Sequence, residues 1–485
     1  MKQNADGLRL DQTYSFDVVV DNHGTKFGGK LNLSPNKCTL LVSGEISQDR
    51  QANFEFENVS RVICRDVATT FILIDLKVTH FFSGVLERHP KTIKTFEIAY
   101  EIAYVICTSA TSSRNARFFG FELDSSSVSL WIGETKTQHD IISKFSSGKL
   151  FTDGEAIPFE FEQPVDGVGV LALGYDASMH FSTSEFSAGV RFPPRLIASF
   201  DEAKNELETI ENFNTLRDLL SVVVGSRVSL QAISLIPESP SGPFRPTLYF
   251  SEPQHSASKA RYVMFPLGCN PARNQLGLPA FPLTSFNAYF AADSEIRTYF
   301  KKYVRYRALE NPEERFLGYF RLLEKLTFQK DSFVDEGRLD LLLNRAKPLV
   351  VRYFGGSSAV NSLLKQIRRS NQSKLNTASC IIKFMKQLPT ELSTEWIFDK
   401  SHIESICKLR NDLTHANEIE PDTRDVEARA KFIEVLLVIA LLKAIDVPPE
   451  SMTSISPRMH GYDLIRKRLD PVDVTVTASK DMGTA

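Results

Sequence analysis

The chain has 485 residues, 42% of them apolar and 24% charged, with 57 Lys and Arg against 59 Asp and Glu. That length exceeds one ordinary core, so two or three domains are expected, and a mean hydropathy of -0.16 is that of a soluble globular chain. The opening residues 1–12 lack the apolar core of a signal peptide, and the longest apolar stretch, Phe432–Ile445, holds Glu434 and Lys443 and is too short to span a bilayer. Neither a secreted nor a membrane-spanning chain is therefore expected. Six cysteines, at 38, 64, 107, 269, 380 and 407, form no CxxC or other metal spacing, and sparse thiols without a leader point to the cytoplasm.

From Tyr14 to about Arg195 the pattern is strand-like. Tyr14, Phe16, Val18 and Val20 alternate with polar residues, and Asp21-Asn22-His23-Gly24 supplies turn chemistry. Further strand-like runs are Phe54–Val59, Phe71–Val78, Phe96–Val105, Phe118–Leu123, Val128–Ile132, Pro158–Phe161 and Val168–Leu173. Many short strands with turns between them predict a sandwich-like or curled sheet. A helix is expected over about 200–223, with Asp201 near its start and Gly225 past its end, then a Pro-rich loop over 236–246. Two more strand-like pieces follow at Thr247–Phe250 and Arg261–Phe265.

From about Ser285 the period becomes helical. Ile296, Phe300, Tyr303 and Val304 share one face, as do Phe316, Tyr319, Phe320, Leu323 and Leu326. Later helices are expected around Asn361–Ile367, Ala378–Gln387, Ser401–Ala416 and Asp425–Ile445, with a poorly packed tail beyond, where only Tyr462–Leu469 reads as helical. The fold class is thus multidomain α+β: a β-rich N-terminal region over 1–285, an all-α bundle over 286–450 and a tail over 451–485.

Several motifs fail. Gly24-Thr-Lys-Phe-Gly-Gly29-Lys30 begins like a P-loop, but Leu31 stands where a Mg²⁺-binding hydroxyl belongs and the segment lies between strand-like runs, so a hairpin loop is expected there. Gly167-Val-Gly169 lacks the third glycine of a dinucleotide fingerprint. His80 and His89 are too far apart for one helical turn and have no Cys or Asp neighbours to complete a zinc set, and no GxSxG elbow occurs. No metal or cofactor is called for by these residues.

Two features remain. The window 341–390 has nine basic residues and no acidic one, which is either a solvated face or an attractor for a phosphate backbone; Lys365, Arg368, Arg369 and Lys374 are the candidate RNA contacts. The second is Arg410-Asn411-x-x-x-His415, and no other arginine here is followed by a histidine five to seven residues later. Ile403, Ile406, Cys407 and Leu413 form an apolar stripe on the expected helix, and at about 100° per residue Arg410 falls in its middle. Asn411 and His415 lie one turn apart on the flank, beside Glu404 and Lys408. A core-facing guanidinium needs a carboxylate, a carbonyl or a ligand phosphate. A structural reading pairs Arg410 with a buried acid and lets His415 merely pack; a functional one lets Arg410 hold a phosphate while His415 moves a proton.

A helical domain with RNxxxH followed by a long apolar helix resembles the HEPN superfamily. Glu314-Arg-Phe-Leu-Gly-Tyr-Phe-Arg-Leu-Leu-Glu324-Lys-Leu resembles the opening helix of its Apea branch, and the β-rich region followed by Leu216-Arg-Asp-Leu-Leu-Ser-Val-Val-Val-Gly225 resembles that branch's N-terminal module. The resemblance implies an anti-phage nuclease of abortive infection that cleaves RNA, tRNA among the candidates, without metal, leaving a 2′,3′-cyclic phosphate and a 5′-OH. It implies His415 as general acid or base, Arg410 as stabiliser of the phosphorane charge, Asn411 as orienting group and Glu324 as a supporting polar residue. It also implies a homodimer or larger even assembly, and a phage-derived trigger acting on the N-terminal region. The charge of Arg410 on its apolar stripe then places that side chain at the subunit contact rather than inside a monomer core, where Glu324 is the one candidate anion. The competing readings are a non-catalytic HEPN adaptor that holds RNA or nucleotide, and a pure interaction protein.

Overall fold

The computed structural model describes residues 7–22, 25–46, 58–88, 91–109, 116–148, 159–182, 187–239, 245–252, 263–267, 277–372, 374–415 and 422–467. The chain forms two compact units, Met1–Ala308 with Leu441–Val447, and Leu309–Ala440 with Pro448–Ala485.

The first unit begins with an antiparallel meander of β1 (Tyr14–Asn22), β2 (Thr25–Leu33) and β3 (Cys38–Ile46). Its alternation is that of half-buried strands: Val18, Val20, Leu31, Leu33, Leu40 and Val42 all point into the core. After β4 (Val59–Arg65), the long strands β5 (Thr69–Arg88) and β6 (Lys91–Ser109) pair along their whole length. Two further pairings, Val19 and Val20 of β1 with β4, and Thr39–Ile46 of β3 with Lys94–Glu101 of β6, bring the strands back on themselves. The result is a closed, barrel-like ring in the order β3-β2-β1-β4-β5-β6. Closure pairs the strand edges that an open sheet leaves available to other chains. At Gly44, opposite Phe96, a Cβ would lie 2.5 Å from the Phe27 ring; without it, Phe27 and Phe96 meet edge to face at 5.2 Å.

From β6 the same sheet runs on through β14 (Thr247–Tyr249), β13 (Leu230–Pro237), β7 (Arg117–Ser125), β12 (Pro194–Asn205), β9 (Gly169–Tyr175) and β8 (Phe161–Val165). A separate hairpin joins β10 (Ser178–Ser182) to β11 (Ser187–Arg191). The expected curled sheet is therefore present, as an antiparallel barrel-like sheet with an open extension. Gly167 and Gly169 form the turn between β8 and β9; Gly169 has φ 138°, and a Cβ there would lie 2.1 Å from the Ser199 carbonyl oxygen. They are structural glycines. Thr25–Lys30 is not the hairpin loop expected but part of β2, paired with Asp17–Asn22 of β1.

Three further local expectations for this unit change. Val128–Ile132 belongs to a helix, α1 (Ser126–Ile132), because the Ser125 hydroxyl accepts the Val128 N–H and Gly133, at φ 63°, ends the turn. It buries Trp131, whose Nε1 donates to the Phe265 carbonyl at 2.9 Å amid Phe161, Phe281 and Phe286. The helix expected at 200 starts at 206, as α3 (Glu206–Val224) after α2 (Lys136–Ser146), since β12 continues to Asn205 and that residue forms a capping box with Glu208. Residues 263–265 are not a strand; Met264 and Phe265 donate to the carbonyls of Val224 and Val223 past the end of α3. Residues 54–57, 158 and 261–262 of the expected strands lie outside the described residues.

The helices α4 (Thr284–Ala291) and α5 (Ser294–Arg307) also fold with this unit, so the division falls after Ala308 and not at 285. Phe286 joins the Trp131 cluster, Asn287 bonds Asp166, and the Arg307 guanidinium donates to the Ser221 carbonyl at 3.1 Å.

The second unit holds α6 (Pro312–Thr327), α7 (Glu336–Phe354), α8 (Ser357–Asn371), α9 (Thr377–Met385), α10 (Thr390–Glu395), α11 (Ile403–Thr414), α12 (Thr423–Lys443, whose last turn counts with the first unit) and α13 (Ser451–Ile455). Asn311 caps α6 by accepting the N–H groups of Glu313 and Glu314, with Pro312 at the first helical position. Residues 451–467 are packed and are no tail: Met452, Ile455, Tyr462 and Ile465 are buried, and Trp396 Nε1 donates to the Tyr462 hydroxyl at 2.9 Å. Of the helix expected over 462–469, Tyr462–Leu464 forms a 3-10 turn, and residues 468–469 lie outside the described residues. Among the described residues no helix is long and apolar enough to cross a membrane.

Candidate active site

The motif lies on α11. Asp399 starts that segment, its carboxylate accepting from the Ser401 N–H and hydroxyl and meeting the His402 ring at 2.8 Å. These bonds hold the Asp399 carboxyl down at about 2. Ile403 and Ile406 are wholly buried, and Cys407 and Leu413 are half-buried on the same stripe. The helix thus docks by its N-terminal half and carries its chemistry on the C-terminal half.

Arg410 sits where the stripe meets the surface, with its side chain 31% exposed. One terminal nitrogen donates to Glu324 Oε2 at 3.1 Å and the other to Asn411 Oδ1 at 3.0 Å. The guanidinium also lies over the Phe320 ring, 5.6 Å from its centroid. Phe320 and Glu324 are one turn apart on α6, so a single helix face supplies both the ring and the carboxylate. Glu324 is itself held, its Oε1 accepting from the Thr377 hydroxyl at 2.7 Å on the first turn of α9. Three helices therefore fix one guanidinium. Burial pushes the neighbouring Cys407 thiol up to about 11, with Glu324 adding to the rise and Arg410 opposing it, so this sulfur is a packing group.

His415 follows the last turn of α11, and its N–H donates to the Asn411 carbonyl at 3.0 Å. Its ring is exposed and engages no partner among the described residues. The motif thus combines a fixed cation, an amide whose oxygen is committed to that cation and whose NH₂ remains available, and an imidazole open to solvent. The charge of Arg410, which led to its expected place at a subunit contact, is met within the chain by Glu324. Sequence reasoning missed Thr377 and Phe320 as its supports; neither carries a signal of its own.

The basic window is less uniform in space than in sequence. Arg368 pairs with Asp340 at 2.6 Å and Lys374 with Asp331 at 3.3 Å, both acids lying just outside the window. Lys365 and Arg369 are exposed on α8 without a carboxylate partner among the described residues. A cleft lined by Glu310, Asn311, Pro312, Glu313, Thr423 and Val426 shares no residue with the motif, and its two carboxylates suit no phosphate. Among the described residues no group of three or more His, Cys, Asp or Glu comes together as a metal site.

Comparison with known proteins finds two families along the chain. The family described as ApeA N-terminal domain 1 matches residues 14–279, and the Apea-like HEPN family matches residues 317–451, which include α6, α9 and α11. No curated protein and no solved structure matches the chain. HEPN domains are in general RNases, so at family level the match supports a HEPN-type nuclease with a part in anti-phage defence. With more than half of its length matched by the first of these families and a HEPN domain after it, the chain belongs to the ApeA-type HEPN proteins.

Proposed function

We propose that the protein is a metal-independent endoribonuclease of abortive infection, cutting cellular RNA when a phage-derived trigger acts on its N-terminal unit. The observation that carries this is the Arg410 cluster: a guanidinium held by Glu324, Asn411 and Phe320, with the exposed His415 one turn beyond Asn411. Family membership adds to it.

In the proposed step a ribose 2′-oxygen attacks the adjacent phosphorus, the P–O5′ bond breaks, the 2′-OH proton leaves to a base, and the departing 5′-oxygen gains one from an acid. His415 carries one of these transfers, and its counterpart in a second copy serves the other in a homodimer whose motif helices face one cleft. Arg410 stabilises the charge on the non-bridging oxygens, and the free NH₂ of Asn411 orients the phosphate. Glu324 and Thr377 keep the guanidinium in place before substrate arrives.

The test uses purified protein with mixed tRNA and mRNA on a denaturing gel. Cleavage is expected to persist in EDTA, and the phosphorylated 3′ ends of the upstream fragments to resist alkaline phosphatase until acid opens the cyclic phosphate. Strict Mg²⁺ dependence with 5′-phosphate ends, or RNA bound but never cut, would overturn the assignment; the second result describes an adaptor.

A further inference from the structure

The hairpin of α7 and α8 presents a face the proposed chemistry does not use. Its two helices close a small core of their own, in which Leu343, Val360 and Leu364 are buried with Leu339, Val350 and Val351 packed around them. One side of the hairpin is polar and fixed: Arg368 of α8 reaches both Asp340 and Asn344 of α7. The opposite side is apolar. Leu342, Leu349 and Tyr353 of α7 are 62%, 62% and 76% exposed, and Leu363 and Ile367 of α8 are 50% and 38% exposed.

The spacing of that face is informative. With the half-buried Ala346, the α7 residues recur as 342, 346, 349 and 353, the four-three-four interval of a coiled-coil seam, over about 16 Å of helix. At about 100° per residue, the direction of Leu363 and Ile367 from the hairpin core places them on the same side, forming the second wall of a groove between the helices. On this register Arg338, Arg345 and Arg352 occupy every flanking g position along the outer edge of α7. All three are exposed, and among the described residues none has a carboxylate partner. The nearby acids are committed elsewhere, Glu336 to Lys330 and Asp340 to Arg368.

We infer that this groove docks an amphipathic α-helix of another polypeptide, one whose apolar seam is flanked by Glu or Asp. The argument is charge complementarity added to seam spacing. A second copy laid antiparallel on the same seam would set one arginine row against the other, and a bilayer has no use for a heptad interval. A helix with flanking carboxylates satisfies both the leucines and the arginines.

The full-length protein is titrated with two labelled helical peptides, both with Leu at a and d, one with Glu at all e and g positions and the other with Lys. The Glu peptide is expected to bind one per chain and at least about tenfold tighter than the Lys peptide. Arg345→Glu with Arg352→Glu should invert that order, and Leu342→Asp with Leu349→Asp should abolish binding of both while circular dichroism stays unchanged, since these side chains are exposed. Equal affinity for the two peptides, or no binding, overturns the inference. So does saturable binding to phosphatidylglycerol-containing vesicles in preference to the peptide, which would assign the face to a membrane. A wild-type dimer that Leu349→Asp dissociates would assign it to a second copy.

Discussion

The two units gain order by different means. In the first, residues from 14 to 249 join one antiparallel sheet, and the largest buried side chains, Trp131 and Phe213 among them, serve packing. In the second, helices close in sequence pack locally, and one of them exposes a guanidinium, an amide and an imidazole within six residues. The contrast teaches that structural weight and chemical capacity sit in different places. A core side chain is replaceable by shape, whereas Arg410 and His415 are replaceable only by a group of the same charge and proton affinity.

This separation can be broken by substitutions that move the wrong quantity. His415→Ala carries the largest expected effect, a loss of cleavage of about a thousandfold with urea unfolding unchanged, because an exposed ring at a helix end packs against little. If that variant cleaves like the wild type, the site is elsewhere. Trp131→Ala should do the reverse, lowering stability by about 3–5 kcal/mol through the cavity left among Phe161, Phe281 and Phe286 and the stranded Phe265 carbonyl. Denaturant midpoints measure it, and a loss under 1 kcal/mol (about one methylene's worth) would deny Trp131 its central place.

Glu324→Gln sharpens the comparison, since it keeps the shape but removes the charge that holds Arg410. Cleavage should fall roughly tenfold, with Thr377→Val acting in the same direction and more weakly. An unchanged rate in both would make Glu324 a bystander.

Burial on α3 raises the Asp218 carboxyl to about 6, against nearby Arg217, Lys301 and Arg227, which pull it down. Its protonated form is favoured in the fold, so this group's contribution is fully present below about pH 4 and is lost as pH rises toward and through 6. Asp218→Asn should therefore stabilise the protein by about 1 kcal/mol at pH 7 and by little at pH 4, as read from unfolding curves at both. The smallest effect concerns the basic window. Arg369→Glu should weaken RNA binding a few-fold and reduce the salt slope by about one, while Arg368→Ala, already neutralised by Asp340, should change the slope less. Equal slopes for both would make the face merely solvated.

The elements that sequence reading located best were those whose signal is local. The alternation of β1, the Gly225 stop of α3 and the periodic run of α12 are each written within a few residues. The signal that nominates Arg410 is local too, because arginine is costly on an apolar stripe and Arg410 stands on one. What stayed hidden depended on distant partners. Val128–Ile132 reads equally as strand or helix until the Ser125 cap and the Trp131 cavity decide it. Phe200–Asn205 reads as helix because nothing nearby shows that β9 pairs with Phe200 and β7 with Lys204 and Asn205. Thr377 became legible only once folding set its hydroxyl on Glu324, some fifty residues away.

The shared strand β6 has a consequence for synthesis. Its neighbours β3 and β5 precede it, so the ring can close as soon as Ser109 has been made. Its Val105–Cys107 stretch, however, later pairs with Thr247–Tyr249. At a translation rate of roughly 5–20 residues per second, the ribosome takes on the order of ten seconds to deliver that partner. Throughout that interval the nascent ring carries an open hydrogen-bonding edge on Val105 and Ile106, both fully buried in the finished protein. Crowded polysomes making this chain thus hold a transiently adhesive barrel, and slowing elongation between residues 110 and 246 should increase aggregation during expression without altering the protein that completes its fold.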